Sequence, residues 1–165
     1  MNYAELKSCD IANGPGVRVS LFVSGCTHHC KGCFNQEAWD FDYGKPFDQS
    51  VIDHILELLK PDYIKGITYL GGEPLDPRNQ GELLNLSRQI KAKYPHKSIW
   101  CFTGYVLEHL THVDPELLSY FDVLVDGPFV EEKKNLTLKF RGSENQRLLD
   151  MPKTLACKQA VLWEE

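Results

Sequence analysis

The stretch Val17-Arg18-Val19-Ser20-Leu21-Phe22-Val23-Ser24-Gly25-Cys26 reads as a strand. Apolar and polar residues alternate and then run apolar to Val23, and the strand delivers Gly25 and Cys26 at its C-terminal end. The loop that leaves it holds Cys26, Cys30 and Cys33 in a C-x3-C-x2-C spacing. Strand, loop and helix then recur. Asp48 predicts a helix N-cap, and Val51, Ile52, Ile55, Leu56 and Leu59 repeat at helical spacing until Pro61. A second strand is predicted over Ile67–Leu70, ending in Gly71-Gly72-Glu73-Pro74. A helix marked by Leu83, Leu84, Leu86 and Ile90 closes at Tyr94-Pro95. A third strand over Ser98–Phe102 ends in Thr103-Gly104-Tyr105; helical turns follow over Val106–Tyr120, and a fourth strand over Phe121–Val125 ends in Asp126-Gly127-Pro128.

Such alternation predicts an α/β fold whose sheet is mostly parallel, with the polar and Gly-rich loops at the C-terminal edge of the strands, where function gathers. A closed eight-stranded barrel takes about 250 residues. With 165 residues the chain has length for part of one, so the expectation is a partial, laterally open (β/α) barrel in a single domain spanning 1–165. Glu131–Lys158 is the least regular region, polar and without a clear period.

The hydrophobic share of 42% and charged share of 25% belong to the ordinary soluble globular class. The net charge of −5 comes without a basic patch, which argues against nucleic acid as a partner. Met1–Asp10 has no signal-peptide core and no apolar stretch approaches a membrane span, so the expected compartment is the cytoplasm. In a reducing compartment, clustered cysteines point to metal binding rather than disulfides. Cys9, Cys101 and Cys157 stand alone and are expected to be small apolar residues packed in the core.

Three thiolates hold three corners of a [4Fe-4S] cluster and leave the fourth iron open to bind something else. A closed structural zinc site takes four protein ligands, usually as two separated pairs, and no second pair stands in this sequence; a zinc-stabilised binding module is the alternative from another class. His28 and His29 are expected to be exposed loop residues.

Asn13-Gly14-Pro15-Gly16-Val17-Arg18, the cysteine loop with Phe34-Asn35, and Tyr69-Leu70-Gly71-Gly72-Glu73-Pro74, in that order, resemble radical S-adenosylmethionine enzymes of the glycyl-radical activase group. The short chain, with Thr103-Gly104-Tyr105, Val125-Asp126-Gly127-Pro128-Phe129 and Arg141-Gly142-Ser143-x-Asn145-Gln146-Arg147, is similar to the branch that activates anaerobic ribonucleotide reductase. The match covers nearly the whole chain. It departs at Gly32, where most radical enzymes of this kind carry an aromatic residue, and at Asn13, where many activases have Asp.

The resemblance implies the barrel type of that superfamily, one [4Fe-4S] cluster on Cys26, Cys30 and Cys33, and S-adenosylmethionine on the open iron. It implies reductive cleavage to methionine and a 5′-deoxyadenosyl radical, and abstraction of a glycine Cα hydrogen from the large subunit of anaerobic ribonucleotide reductase. A flavodoxin or ferredoxin-type reductant is implied as well. Gly71, Gly72 and Glu73 are the candidates for the methionine end of the cofactor, with Thr103, Asp126 and Asn35 as further cofactor-binding candidates. Arg141, Asn145, Gln146 and Arg147 are read either as contacts to partner or cofactor or as a solvated loop. Within the enzyme class, activation of another glycyl-radical enzyme, or a compact small-molecule enzyme resembling 7-carboxy-7-deazaguanine synthase, is the alternative.

Overall fold

The computed structural model describes residues 1–33 and 36–164. Among these described residues seven strands form one sheet: β1 (Asn2–Asp10), β2 (Val17–Val23), β3 (Lys45–Pro46), β4 (Ile64–Gly71), β5 (Ser98–Phe102), β6 (Val123–Asp126) and β7 (Arg147–Asp150). Their spatial order is β3-β1-β2-β4-β5-β6-β7. Four α-helices accompany them: α1 (Gln49–Leu58), α2 (Pro77–Lys93), α3 (Pro115–Ser119) and α4 (Met151–Cys157).

The helix ends follow local chemistry. The Asp48 carboxylate accepts the Val51 N–H and starts α1, and Asp76, followed by Pro77, accepts the Arg78 N–H and starts α2. Tyr94, held by proline at 95, closes α2.

The four strands read from the sequence are β2, β4, β5 and β6, and they pair in parallel through α1, α2 and α3. The other pairings, β1 with β2, β1 with β3 and β6 with β7, are antiparallel. The sheet is therefore mixed and open, and the expected partial (β/α) barrel with a mostly parallel sheet is not what forms. The reason is local. Residues 11–16 between β1 and β2 are too few for a crossover, so that connection is a hairpin. Residues 127–146 leave and return at the same edge of the sheet, which places Arg147 opposite Asp126 and reverses β7.

Strand alternation gives the sheet two unlike faces. Val19, Leu21, Val23, Ile67, Tyr69, Ile99, Cys101 and Leu124 pack with Ile55, Leu83, Leu86, Ile90 and Leu117 of the helices, each fully buried aliphatic contributing about 2 kcal/mol. On the opposite face Trp100, Val123 and Val125 are covered by Phe140, Leu148 and Trp163, not by an α-helix. Cys101 is buried as expected, but Cys9 and Cys157 are exposed. Nothing in the polar surroundings of β1 or the end of α4 draws those two thiols inward.

The Asn13-Gly14-Pro15-Gly16 turn lies at the N-terminal ends of β2 and β4, the opposite pole from the cysteine loop. Its work there is to bury Arg18, which is 1% exposed. The guanidinium donates to Thr68 Oγ1, Ser98 Oγ and the carbonyls of Pro15, Ile67 and Ser98, and lies 5.7 Å from the Trp100 ring centroid. Burial lowers its pKa to about 10, so it stays charged at neutral pH. Gly14, at φ +143°, lies flat on this side chain; an added Cβ would come within 2.7 Å of Arg18 Cδ. Asn13 donates to Asp10 Oδ2 at 2.7 Å, which accounts for the amide at this position: an aspartate would set two carboxylates together. Replacing Arg18 by methionine strands several buried acceptors, at about 1–3 kcal/mol each. Chemical denaturation of the metal-free Arg18→Met protein is expected to show a loss of about 3 kcal/mol; a loss below about 0.5 kcal/mol would contradict this account.

Candidate functional site

The C-terminal ends of β2 and β4 are laced together by backbone. Gly72 N–H donates to Val23 O at 2.8 Å and Glu73 N–H to Gly25 O at 2.7 Å. The lacing requires glycine at 72, because an added Cβ would lie 2.5 Å from Gly25 O. On the other side of the cysteine loop, Gly25 N–H and Cys26 N–H donate to the carbonyls of Ala38 and Trp39, in the short 3-10 turn Gln36–Trp39. Gly25 itself, at φ +98°, has no room for a side chain against Phe41.

These connections open a cavity of about 200 Å³, and Cys26, Cys30 and Cys33 all stand in its wall with Gly71, Gly72 and Thr103. Leu70 and Phe102 in the same wall place it on the sheet face that carries no helix. Cys26 is buried; Cys30 and Cys33 are partly exposed. Burial pushes the Cys26 thiol up to about 11, opposed by hydrogen bonds from the backbone N–H groups of His28 and His29. Burial also raises the Cys30 thiol, opposed by the Phe129 N–H. Without metal these thiols therefore hold their protons, and a cation bound there would convert them to thiolates. Among the described residues no three His, Cys, Asp or Glu side chains converge to hold a single metal ion. Three soft donors spread around a cavity wall, with N–H groups already directed at two of the sulfurs, fit an iron–sulfur cluster.

Glu73 is fully buried, and its carboxylate joins three chain segments. Oε2 accepts from Leu75 N–H and Thr103 Oγ1, both at 2.8 Å, and Oε1 from Gly104 N–H and His28 Nε2, both at 2.7 Å. His28 is thus no exposed loop residue: it lies in the cavity wall and against the Tyr105 ring, with centroids 4.5 Å apart. His29 stacks on Trp39. Thr103 reaches the cavity, whereas Asp126 does not stand in its wall. The Asp126 carboxylate is engaged by Arg147 and by the Leu107 N–H at 2.9 Å, and Arg147 goes on to Glu108. Asn35 lies outside the described residues.

The Arg141–Arg147 segment is not a solvated loop. Gln146 is 9% exposed and lines the cavity beside Gly142, facing Phe129 and Trp39, which also belong to the wall. Trp39 carries no signal in the sequence, since the 3-10 turn brings it in from outside any motif. Gln146 was signalled only as part of a polar cluster.

A family model described as a 4Fe-4S single cluster domain matches residues 12–149. An anaerobic ribonucleoside-triphosphate reductase-activating protein of Enterobacteria phage T4 is 44% identical over 150 residues, covering 90% of this chain and 93% of its own. Proteins of the same name from Vibrio cholerae and Escherichia coli K12 are 45% and 44% identical over 148 residues, covering 88% of this chain and 96% of theirs. The chain belongs to the anaerobic ribonucleoside-triphosphate reductase-activating protein family. Membership in this single-cluster family decides against the zinc-stabilised module. No helix of the described residues is long and apolar enough to cross a membrane.

Proposed function

We propose that the chain is an oxidoreductase that activates anaerobic ribonucleotide reductase by generating a glycyl radical on its large subunit. The observation that carries the reading is the gathering of Cys26, Cys30, Cys33, Gly71 and Gly72 around one cavity at the strand ends; the names of the relatives support the choice of partner. Cys26, Cys30 and Cys33 would hold a [4Fe-4S] cluster with one iron free of protein ligands. When bound, the cluster and S-adenosylmethionine supply the electron transfer and sulfonium cleavage that yield methionine and a 5′-deoxyadenosyl radical, the species that takes the glycine hydrogen.

The chain's own residues do the positioning. The backbone of Gly71 and Gly72, free of side chains, lets the methionine end approach closely. Glu73 holds Thr103, Gly104 and His28 around that place, and its negative charge would favour a cofactor ammonium there. Leu70, Phe102 and Phe129 supply apolar wall that excludes water from a reactive species. Asp126 and Asn35 remain candidates of lesser reach, Asp126 acting through Arg147. The sheet face without an α-helix leaves access for a polypeptide loop, which suits a protein substrate. A flavodoxin or ferredoxin-type protein of the cytoplasm is the proposed electron source.

The test is anaerobic reconstitution with iron and sulfide, followed by reduction with S-adenosylmethionine and the reductase. About four irons per chain, release of 5′-deoxyadenosine and a glycyl-radical doublet in electron paramagnetic resonance are expected. Deoxyadenosine without a doublet would reject the reductase as partner, and no iron uptake would reject the reading altogether.

A further inference from the structure

Between Asp126 at the end of β6 and Arg147 at the start of β7 lie residues 127–146, with no α-helix and no strand of the sheet. Long connections of this kind are uncommon unless they serve a function. The segment departs as Gly127-Pro128-Phe129-Val130 and returns as Gly142-Ser143-Glu144-Asn145-Gln146, and side chains of the returning leg grip the backbone of the departing one. Gln146 Nε2 donates to Gly127 O at 3.1 Å, Asn145 Nδ2 to Pro128 O at 2.8 Å, and Ser143 Oγ accepts the Val130 N–H at 3.2 Å.

The grip is itself fixed. Gln146 Oε1 accepts the N–H groups of Gly142 and Ser143 at 2.9 and 3.1 Å, and Arg141 donates to Gln146 O at 2.7 Å. Ser143 is fully buried, so breaking its bond leaves polar groups unpaired where water does not replace them. Amid these three anchor points, the Phe129 N–H is directed at the Cys30 sulfur, and both residues stand in the cavity wall.

We propose that Ser143, Asn145 and Gln146 are positioning residues that hold the Phe129 amide against Cys30, and that this N–H···S bond raises the reduction potential of the cluster bound there. The proposal rests on the reading of Cys30 as a cluster ligand. Reduction adds negative charge to the cluster and its sulfurs, and a donor aimed at a ligating sulfur stabilises the reduced form more than the oxidised one. A turn free to drift by an ångström would lose that bond while leaving all three thiolates in place.

The test is an anaerobic redox titration of reconstituted Ser143→Ala and Asn145→Ala proteins, singly and together, followed by electron paramagnetic resonance of the reduced cluster. Iron content at the wild-type level is expected, with the double variant's midpoint lower by about 59 mV, a tenfold change in the one-electron equilibrium. Arg18→Met, which weakens the fold at the other pole, is expected to keep the wild-type midpoint. A full iron complement with an unmoved midpoint in the double variant would overturn the clamp and leave the proposed function standing. Wild-type protein that takes up no iron would overturn both. Should the double variant fail to fold, the single variants decide through amide exchange in the metal-free protein. Faster exchange at residue 129 with unchanged exchange in β5 supports the clamp, and unchanged exchange at 129 overturns it.

Discussion

Cys30→Ala protein, reconstituted anaerobically and reduced with S-adenosylmethionine, is expected to form no 5′-deoxyadenosine above background and no glycyl radical on the reductase. The same holds for Cys26→Ala and Cys33→Ala. All three sulfurs stand in one cavity wall, and no other cysteine does. Cys101 is buried among the helix-side core residues, and Cys9 and Cys157 are on the surface. A cluster robbed of one thiolate has no further cysteine in that wall to recruit, and His28, which does stand there, is held by the Glu73 carboxylate at 2.7 Å. Alanine at 9 or 157 is therefore expected to leave turnover unchanged. The measurement is chromatographic quantification of 5′-deoxyadenosine alongside iron content. Full turnover by Cys30→Ala would remove that residue from the ligand set.

The parts of the fold that were legible in the sequence share one trait: apolar strands followed by punctuation. β2, β4, β5 and β6 each bury side chains on the helix face and end in glycine, threonine or aspartate, and Asp48 and Pro95 bracket helices by chemistry that acts within a few residues. β1 escaped because its sequence, Asn2–Asp10, is mostly polar, with one face partly exposed and two register shifts against β2. Its place is set by pairing, not by its own pattern. β7 and α4 escaped for a related reason, since Arg147–Asp150 is held as a strand by β6 and by the return of residues 127–146. With β1 and β7 unseen, the sheet read as more parallel than it is.

The site divides in the same way. The cysteine spacing and Gly71-Gly72 are local statements, and the residues they mark do meet at one cavity. The partners of Glu73, by contrast, come from residues 28, 75, 103 and 104, and the hold of Gln146 on Gly127 spans 19 positions. A sequence motif marks such residues without saying whether they face a ligand or one another. Asn13-Gly14-Pro15-Gly16 is the sharpest instance, for its neighbours are Arg18 and Asp10 at the far pole.

Glu73→Ala is expected to retain iron near the wild-type level and to lose at least tenfold in affinity for S-adenosylmethionine, about 1.4 kcal/mol. The three thiols are untouched, so cluster assembly proceeds. What goes is the common acceptor for Leu75 N–H, Thr103 Oγ1, Gly104 N–H and His28 Nε2. Donors this deeply buried cost about 1–3 kcal/mol each when unpaired, so Thr103 and Gly104 at the end of β5 come away from the end of β4, while the backbone bonds of Gly72 to Val23 and of Glu73 to Gly25 keep the cysteine loop in place. Equilibrium dialysis against S-adenosylmethionine measures the affinity, and a wild-type value would sink the assignment. Glu73→Gln then separates two ways in which the carboxylate acts. A neutral amide keeps one oxygen for two of the four donors but turns an NH2 group toward the other two. If Glu73 serves as a scaffold, the glutamine protein binds with affinity between wild type and alanine. If its charge on the cofactor ammonium dominates, glutamine is as poor as alanine. The saturation of both carboxylate oxygens by protein donors argues for the scaffold, and hence for the intermediate value.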